Sequence, residues 1–444
     1  MRRPLHGWLA AEIVSITGTR VSMIALPFFV LETTGSAQKA GLVALAEMAP
    51  LVVTKALAGP LIDRLGPRRV GIGCDLASVA VVGAIPLAHA AGWLPFPLFL
   101  LLVALAGALR GPGDGAKHAL TPTLVEHAGV PMERATGLHA TVERTASMLG
   151  AALAGALVAL VGSTNALLVD AASFGLSAVL LAWATAPLPA HRPAGGDRAA
   201  SGGRTSTFAA EWGEGWAFLR RDRVLVGITL MVTVTNMLDI AYASVLVPVW
   251  GVEGGGGAAV VGLVFAVFSG ASALGALCAA AWAALLPRYA TYVVAFLVCG
   301  APRFAVMAFD SPLWAVLAVS VAGGFGAGFI NPVLGAVVYE RIPAHLVGRV
   351  TSLSSATCYA LMPFGGLLAG ALVGSQGLAV ALMVCGAAYL AATMVPALDP
   401  RWREIDRRPG DQRADGQPAA SRTRSASRNA RESAPPRSAT STST

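Results

Sequence analysis

The stretch RATGLHATVERTASMLGAALAGALVALVG at residues 134–162 recurs 215 residues later as RVTSLSSATCYALMPFGGLLAGALVGSQG at residues 349–377. Eleven of the 29 aligned positions are identical, and each copy carries one arginine and three glycines in register. An alanine-rich composition raises the number of chance matches, but it does not align the arginine and the glycines. The chain therefore contains two halves that are related in sequence.

Apolar runs follow one another along most of the chain. Hydrophobic residues make up 55% of it and charged residues only 13%, against about 25% charged in an ordinary soluble domain. A helix needs ~20 residues to cross a bilayer. The sequence predicts an all-α membrane protein with twelve transmembrane helices, at residues 8–32, 38–58, 70–91, 95–116, 136–161, 165–186, 224–249, 259–285, 289–309, 313–338, 350–373 and 377–397.

The offset between the copies defines the domain organisation. It covers six predicted helices, an even number, so both halves enter the membrane the same way up. We expect two six-helix bundles at residues 1–186 and 224–397. Residues 187–223, rich in Pro, Gly, Arg and Ser, predict a cytoplasmic linker that ends in an interfacial helix. Residues 398–444 hold ten arginines and few apolar residues, and they predict a disordered cytoplasmic tail.

The short connections between the predicted helices differ strongly in charge. Those on one side carry sixteen lysines and arginines, whereas those on the other side carry Lys39 alone. Basic residues are retained on the cytoplasmic side of a membrane. We therefore expect a multi-pass protein of the plasma (cytoplasmic) membrane with both termini in the cytoplasm.

The connection between the second and third predicted helices reads GPLIDRLGPRR at residues 59–69. This text resembles the loop signature of the major facilitator superfamily, G-x-L-x-D-R-x-G-R-[RK], with Pro67 in place of an arginine. The resemblance implies the major facilitator fold and a gate at the cytoplasmic end of the bundles. The residues expected in this gate are Gly59, Asp63, Arg64, Gly66, Arg68, Arg69 and Asp75.

Individual roles within this loop follow from residue chemistry. Gly59 should let a neighbouring helix approach, and Gly66 should turn the chain. Asp63 can cap a helix or pair across the interface between the bundles. The arginines should stay at the anionic membrane face, and Asp75 should join Asp63 and these arginines.

A second stretch, AKHALTPTLV at residues 116–125 followed by RATGL at 134–138, resembles the loop after the fourth helix in one branch of the superfamily. That branch contains enterobactin-type siderophore exporters and macrolide exporters. The resemblance covers residues 5–397 and implies a secondary transporter for proton-coupled efflux of a drug, an antibiotic or a siderophore-like metabolite by alternating access. An importer of the same superfamily and a non-transporting membrane sensor on the same scaffold are the alternatives.

The fifth predicted helix carries glycines at the spacing of the antiporter signature of drug exporters in this superfamily. They are Gly137, Gly150 and Gly155, while alanines replace the remaining glycines and Ala151 replaces the proline. The antiport direction is one interpretation. A face of small residues that packs against another helix explains the same glycines.

Ionisable residues inside the predicted helices are candidates for transport, because each costs at least ~2.5–3.5 kcal/mol to insert. Our leading hypothesis is that Arg20, Glu47 and Asp239 line the substrate route and that Glu47 or Asp239 carries the proton. The alternative is a structural ion pair between helices, such as Arg20 with Glu47. The full set of candidates is Glu12, Arg20, Glu47, Arg110, Asn236 and Asp239.

Other charged and aromatic residues have less specific assignments. Arg110 should attract an anionic substrate or pair with Asp75 or Glu143. Asp170 should be a hydrated cap near the outer interface, and Arg303 should extend outward, towards Asp310. An apolar drug-binding wall could include Phe28, Phe29, Met231, Tyr242, Phe265, Phe268, Tyr359 and Met362, with lipid-facing packing as the alternative for each.

Several protein classes are excluded or disfavoured by the sequence. It has no G-x-x-x-x-G-K-[ST] loop of an ATP-driven pump, and no H-E-x-x-H or G-x-S-x-G catalytic motif, so we expect no enzyme. The five cysteines show no metal-ligand spacing and should be reduced. We expect no metal and no cofactor besides the proton gradient. The expected partners are a small-molecule substrate and the lipid bilayer; we expect a monomer that binds no nucleic acid.

Overall fold

The computed structural model of the chain describes residues 3–188, 208–254, 256–282, 285–343 and 346–406, and this part contains helices and no strand. The helices are, in chain order, α1 (Arg3–Thr34), α2 (Ala37–Leu65), α3 (Pro67–Ala90), α4 (Phe96–Ala119), α5 (Thr121–Ala128), α6 (Met132–Thr185), α7 (Phe208–Arg221), α8 (Arg223–Ala241), α9 (Val247–Glu253), α10 (Gly257–Trp282), α11 (Arg288–Cys299), α12 (Ala301–Ala308), α13 (Leu313–Arg341), α14 (Val347–Ala360), α15 (Met362–Gln376) and α16 (Leu378–Leu398). The prediction of an all-α membrane protein is confirmed.

Eleven segments of the described residues are long and apolar enough to cross a membrane. One of them, Thr141–Thr185, has 45 residues, about 68 Å at the ~1.5 Å helical rise, which is roughly twice a bilayer core. Its backbone leaves the helical conformation at Gly162, with φ 82° and ψ 160°. Gly162 therefore separates the two spans that the sequence predicts on either side of it.

Two other spans are interrupted within the membrane. The span from Arg223 to Glu253 joins α8 to α9 through a π-helical turn, Tyr242–Leu246. The span from Arg288 to Ala308 breaks between α11 and α12 at Gly300, whose φ is −84° and ψ −105°. A break in a helix leaves backbone groups without their helical hydrogen-bond partners, and membrane proteins place such breaks where they line a cavity. Both interruptions lie beside the site described below.

Close contacts between the two halves occur near one end of the molecule. A Cβ on Gly155 of α6 would lie 2.6 Å from the carbonyl oxygen of Ala258 in α10. A Cβ on Gly370 of α15 would lie 2.6 Å from the carbonyl oxygen of Ala37 in α2. Glycine permits such backbone contact in membrane proteins, so the halves are packed together at the end that contains the Gly162 turn.

The loop of residues 59–69 lies at the opposite end of α2. Gly66 has φ 86° and ψ 142° and separates α2 from α3, as expected for a turn. The expectation of a helix close to Gly59 is wrong in this conformation, because a Cβ there would meet no described atom within 4 Å. The halves contact each other at the other end of α2, around Gly41.

The first part of the expected disordered tail is folded, which corrects the prediction for these residues. Pro400–Asp406 form a 3-10 helix, in which Trp402 is 4% exposed and Ile405 is 1% exposed. Trp402 packs on Tyr292, with ring centres 5.1 Å apart. Residues 407–444 lie outside the described residues. In the linker, residues 208–221 form α7, and 189–207 lie outside the described residues.

Candidate functional site

A cavity of about 420 Å³ lies between the two halves. Most of its lining comes from the C-terminal half, whereas α1 contributes Arg20 and Met23. The aromatic residues of the lining are Tyr242, Phe265, Phe268, Phe296 and Tyr389, and the uncharged polar ones include Thr235, Asn236, Ser269, Ser320 and Asn331. Apolar walls with a few convergent polar groups are typical of small-molecule sites.

An ion pair between Asp239 and Arg303 forms the charged part of this cavity. Asp239 lies one turn before the π-helical turn, and Arg303 lies in the first turn of α12, just after the break at Gly300. Arg303 is 7% exposed, while 43% of the Asp239 side chain is exposed. The carboxylate is therefore the accessible member of the pair.

Aromatic rings surround the guanidinium of Arg303. Its carbon lies 4.6 Å from the ring centre of Tyr242 and 5.0 Å from those of Phe304 and Tyr389. Such contacts stabilise a desolvated cation. The expectation that Arg303 extends outward to Asp310 is wrong, because the break at Gly300 redirects the arginine to Asp239. Gly300 and Pro302 interrupt an apolar run, and this sequence signal could have revealed the break in the helix.

Arg20 lies on the N-terminal side of the cavity. It donates to Ser147 Oγ at 2.8 Å and to Met23 Sδ at 3.1 Å. No acidic group of the described residues lies within 4.0 Å of it. The example pair of Arg20 with Glu47 is therefore wrong, although Glu47 and Asp239 each form an ion pair with an arginine of another helix.

Glu47 pairs with Arg110 instead, with Oε1 and Nη1 3.2 Å apart. The side chains are 14% and 18% exposed, respectively, and they join α2 to α4 inside the N-terminal half. This corrects the expectation that Arg110 pairs with Asp75 or Glu143. Glycine at 107 brings the helices close, because a Cβ there would overlap the Glu47 carbonyl group.

A second buried ion pair joins α3 to α4. Lys117 Nζ lies 3.0 Å from Asp75 and donates to Ser15 Oγ at 2.8 Å, and Ser177 Oγ donates to Asp75 at 2.8 Å. Asp75 therefore binds Lys117 rather than the loop arginines. Glu12 is 5% exposed beside this cluster, and its Oε1 has no hydrogen-bond partner in the described residues. It does not line the central cavity.

Most charged residues of the loop at residues 59–69 lie on the surface of the protein. Asp63, Arg64 and Arg69 are exposed, and Arg68 is half-buried and donates to the carbonyl oxygen of Ala182 at 3.3 Å. The gate role of this loop stays a prediction.

Asp170 differs most from its expected position. It is 0% exposed, rather than hydrated near the outer interface, and Ser22 of α1 donates a hydrogen bond to its Oδ2. Gly18 leaves room for the carboxyl group, because a Cβ there would lie 2.6 Å from Asp170 Oδ1. The sequence signal for this burial is the apolar run of residues 165–186, in which Asp170 lies.

The remaining candidates have mixed positions. Asn236 lines the cavity, and its amide donates to the carbonyl oxygen of Cys358 at 3.1 Å. Gly150 faces the Arg20 side chain, with 3.1 Å between a built Cβ and Arg20 Cγ. Gly137 lies in α6, and its surroundings fall outside the described side chains. Of the proposed apolar wall, Tyr242, Phe265 and Phe268 line the cavity, whereas Phe28, Phe29 and Met231 belong to the packed core.

Two related helical halves with a charged cavity between them are the arrangement found in transporters of the two-bundle class. The sequence model of the Major Facilitator Superfamily matches residues 8–255 and 229–434. This chain belongs to the Major Facilitator Superfamily, and it is a membrane transporter rather than an enzyme.

Relatives of known name match nearly the whole chain. It is 30% identical over 413 residues to the multidrug efflux pump Tap of Mycolicibacterium fortuitum. The aligned region covers 91% of this chain and 98% of that pump. Tap of Mycobacterium tuberculosis is 29% identical, covering 92% and 96%. Macrolide efflux protein A of Streptococcus pyogenes is 23% identical, covering 89% and 96%.

Solved structures match the fold. A nucleoside transporter, NupG, superposes with a TM-score of 0.69 at 14% sequence identity, covering 89% of this chain and 98% of that one. A transporter of the POT family superposes with a TM-score of 0.67 at 13% identity, covering 91% and 97%. These likenesses concern the helical architecture alone.

Proposed function

We propose that this chain is a proton-coupled multidrug efflux transporter of the cell membrane, with both termini in the cytoplasm. The observation that carries the proposal is the cavity between the halves, in which the accessible carboxylate of Asp239 stands among aromatic rings. Full-length similarity to proteins named as multidrug and macrolide efflux pumps supports the same function.

The chemistry of the cavity suits amphipathic ring compounds. Aromatic side chains accept flat apolar surfaces without strict geometry. Asp239 can hold a positively charged amine or a proton, and Arg20 and Asn236 offer hydrogen-bond donors. A few polar groups on an apolar wall select a class of molecules rather than one compound, as a multidrug pump requires.

The conformation supports alternating access. The halves are closed at the end with the Gly162 turn, where Gly155 meets α10. In the orientation expected from the sixteen basic residues in the connections, this end is the extracellular one. A state closed on the outside would load its substrate from the cytoplasm, and rocking of one half against the other would release it outside.

The test is transport by purified protein in liposomes with an imposed pH gradient. We expect radiolabelled erythromycin and ethidium to accumulate against their gradients when protons flow the opposite way, and a protonophore to abolish accumulation. Asp239→Asn should lower this accumulation by about tenfold or more. Asp310→Asn is the matched control, because Asp310 is exposed in a turn with φ 47°, a conformation that asparagine accepts.

Three outcomes would contradict the proposal. Accumulation of the compounds to the same level with and without a pH gradient would exclude proton coupling. Flux that moves with the protons would indicate an importer. A protein that binds the compounds but shows no counterflow of labelled compound would be a sensor rather than a carrier.

A further inference from the structure

Asp170 is a buried carboxyl group whose side-chain hydrogen-bond partners among the described residues are hydroxyl groups. Ser22 Oγ is hydrogen-bonded to Oδ2, and Ser173 Oγ lies 3.3 Å from Oδ1. The residue is 0% exposed, and no cation of the described residues lies within 4.0 Å of it. An isolated buried charge is strongly unfavourable, whereas a protonated carboxyl group is neutral and can itself donate to a serine oxygen.

The carboxyl group faces the Glu47–Arg110 pair across a small cavity. This cavity has a volume of about 20 Å³, enough for about one water molecule. The polar groups that face it come from every helix packed around it. They are Thr19 and Ser22 of α1, Glu47 of α2, Ser78 of α3, Arg110 of α4 and Asp170 itself. Arg110 is the cation of this set, and two carboxyl groups stand beside it.

The small cavity and the central cavity are neighbours of a third cavity, with which each shares lining residues. Glu47 lines both the small cavity and a third one of about 40 Å³ between the halves. Met23 and Ala243 line the third cavity and also the central one. Glu47 therefore lies between the small cavity beside Asp170 and a further cavity that adjoins the substrate cavity.

We propose that Asp170 is a proton-binding residue of the transporter and that Arg110 is shared between Glu47 and Asp170. With Glu47 ionised and paired to Arg110, Asp170 holds the proton. When the proton passes from Asp170 Oδ2 through water to a Glu47 oxygen, the negative charge moves to Asp170 and Arg110 follows it. The net charge of the three groups is the same before and after the transfer. The inference rests on the proposed proton coupling and names an internal site for it.

The first measurement does not depend on transport. Infrared difference spectra of the purified full chain, recorded between acidic and basic pH, should contain the carbonyl stretch of a protonated carboxylic acid. We expect this band to disappear in Asp170→Asn and to shift in Ser22→Ala, which removes the hydroxyl partner. Asp310→Asn should leave it unchanged. A band that survives Asp170→Asn unaltered would overturn the proposal.

The second measurement separates coupling from substrate movement. In liposomes, Asp170→Asn should retain counterflow of labelled compound without a gradient, because asparagine resembles the neutral acid in shape. Its accumulation driven by a pH gradient should fall by about tenfold or more. Accumulation at the wild-type level would overturn the proposal. So would a large loss of thermal stability in both Asp170→Asn and Ser22→Ala, because a buried ionised carboxylate would depend on the hydroxyl group that donates to it.

The two proposals fail in different ways. If the wild-type chain shows no proton-driven accumulation, the proposed function fails, while the infrared band still reports whether Asp170 holds a proton. If the wild-type chain accumulates the compounds and Asp170→Asn does so equally, only the internal proton site fails.

Discussion

At the scale of single residues, six of the charged groups inside the described spans form three ion pairs. Asp239 with Arg303, Glu47 with Arg110 and Asp75 with Lys117 each join two helices. The first pair faces the central cavity, and the third is sealed in the N-terminal half, with side chains 2% and 4% exposed for Lys117 and Asp75. Accessible pairs can exchange a partner for a proton or a substrate, whereas sealed pairs hold helices together.

The sealed pair gives a prediction on stability. Asp75→Asn and Lys117→Met should each destabilise the protein by about 3–5 kcal/mol, because each leaves one buried charge without its partner. The double variant should recover most of the loss. Thermal unfolding of the detergent-purified protein measures the difference.

A more exposed ion pair serves as the control. Glu340, whose side chain is 31% exposed, makes a two-bonded pair with Arg288 at 2.7 Å, and Glu340→Gln should cost less than Asp75→Asn because water reaches the groups left unpaired. If Asp75→Asn costs no more than Glu340→Gln, Lys117 and Asp75 do not form the sealed pair described.

At the scale of helices, interruptions and glycine contacts position the site. The π-helical turn after Asp239 and the break at Gly300 bring an aspartate and an arginine from separate spans together. Glycines such as Gly155 allow helices of the two halves to touch through their backbones. A side chain at such a contact would separate the halves where they close.

The glycine contact between α6 and α10 gives the second prediction. Gly155→Ala places a methyl group 2.6 Å from the carbonyl oxygen of Ala258, and overpacking of this kind costs about 1–3 kcal/mol. We expect slower counterflow of labelled compound, because the state closed at this end becomes less populated. Gly73→Ala is the matched control in another helix, since a Cβ there meets no described atom within 4 Å. Equal rates for the two variants would contradict the interpretation.

At the scale of the whole molecule, the two halves are related in sequence but differ in the site they form. The central cavity lies mainly against the C-terminal half, around Asp239 and Arg303. The N-terminal half instead encloses the small cavity with Glu47, Arg110 and Asp170. The tail adds a contact to the C-terminal half, because Trp402 packs over Gly227 and Tyr292.

The packed start of the tail gives the third prediction. A chain that ends at residue 406 should keep the thermal stability and transport of the full chain. A chain that ends at residue 398 should be less stable, since it lacks Trp402, and Trp402→Ala alone should cost about 3–5 kcal/mol. Arg403→Ala is the control, because Arg403 is exposed. Equal unfolding temperatures for the two truncated chains would contradict the packing of Trp402.

The sequence by itself determined the class of protein. Apolar runs of bilayer length, the repeat between residues 134–162 and 349–377 and the loop at residues 59–69 predicted a helical membrane protein of the major facilitator type. These features are local or periodic, because hydrophobicity and span length act within each helix. The same local signal identified Asp239 and Glu47 as unusual charges.

Only the tertiary structure decided the partners of those charges. Arg303 was expected to extend towards Asp310 and Asp170 to be hydrated, yet the first pairs with Asp239 and the second is sealed beside Ser22. The 3-10 helix at Pro400–Asp406 was likewise unexpected, because Trp402 finds its contacts far away in the chain. A buried charge selects whichever group the packed helices bring within reach, and this depends on helix rotation, on breaks such as Gly300 and on contacts between distant segments.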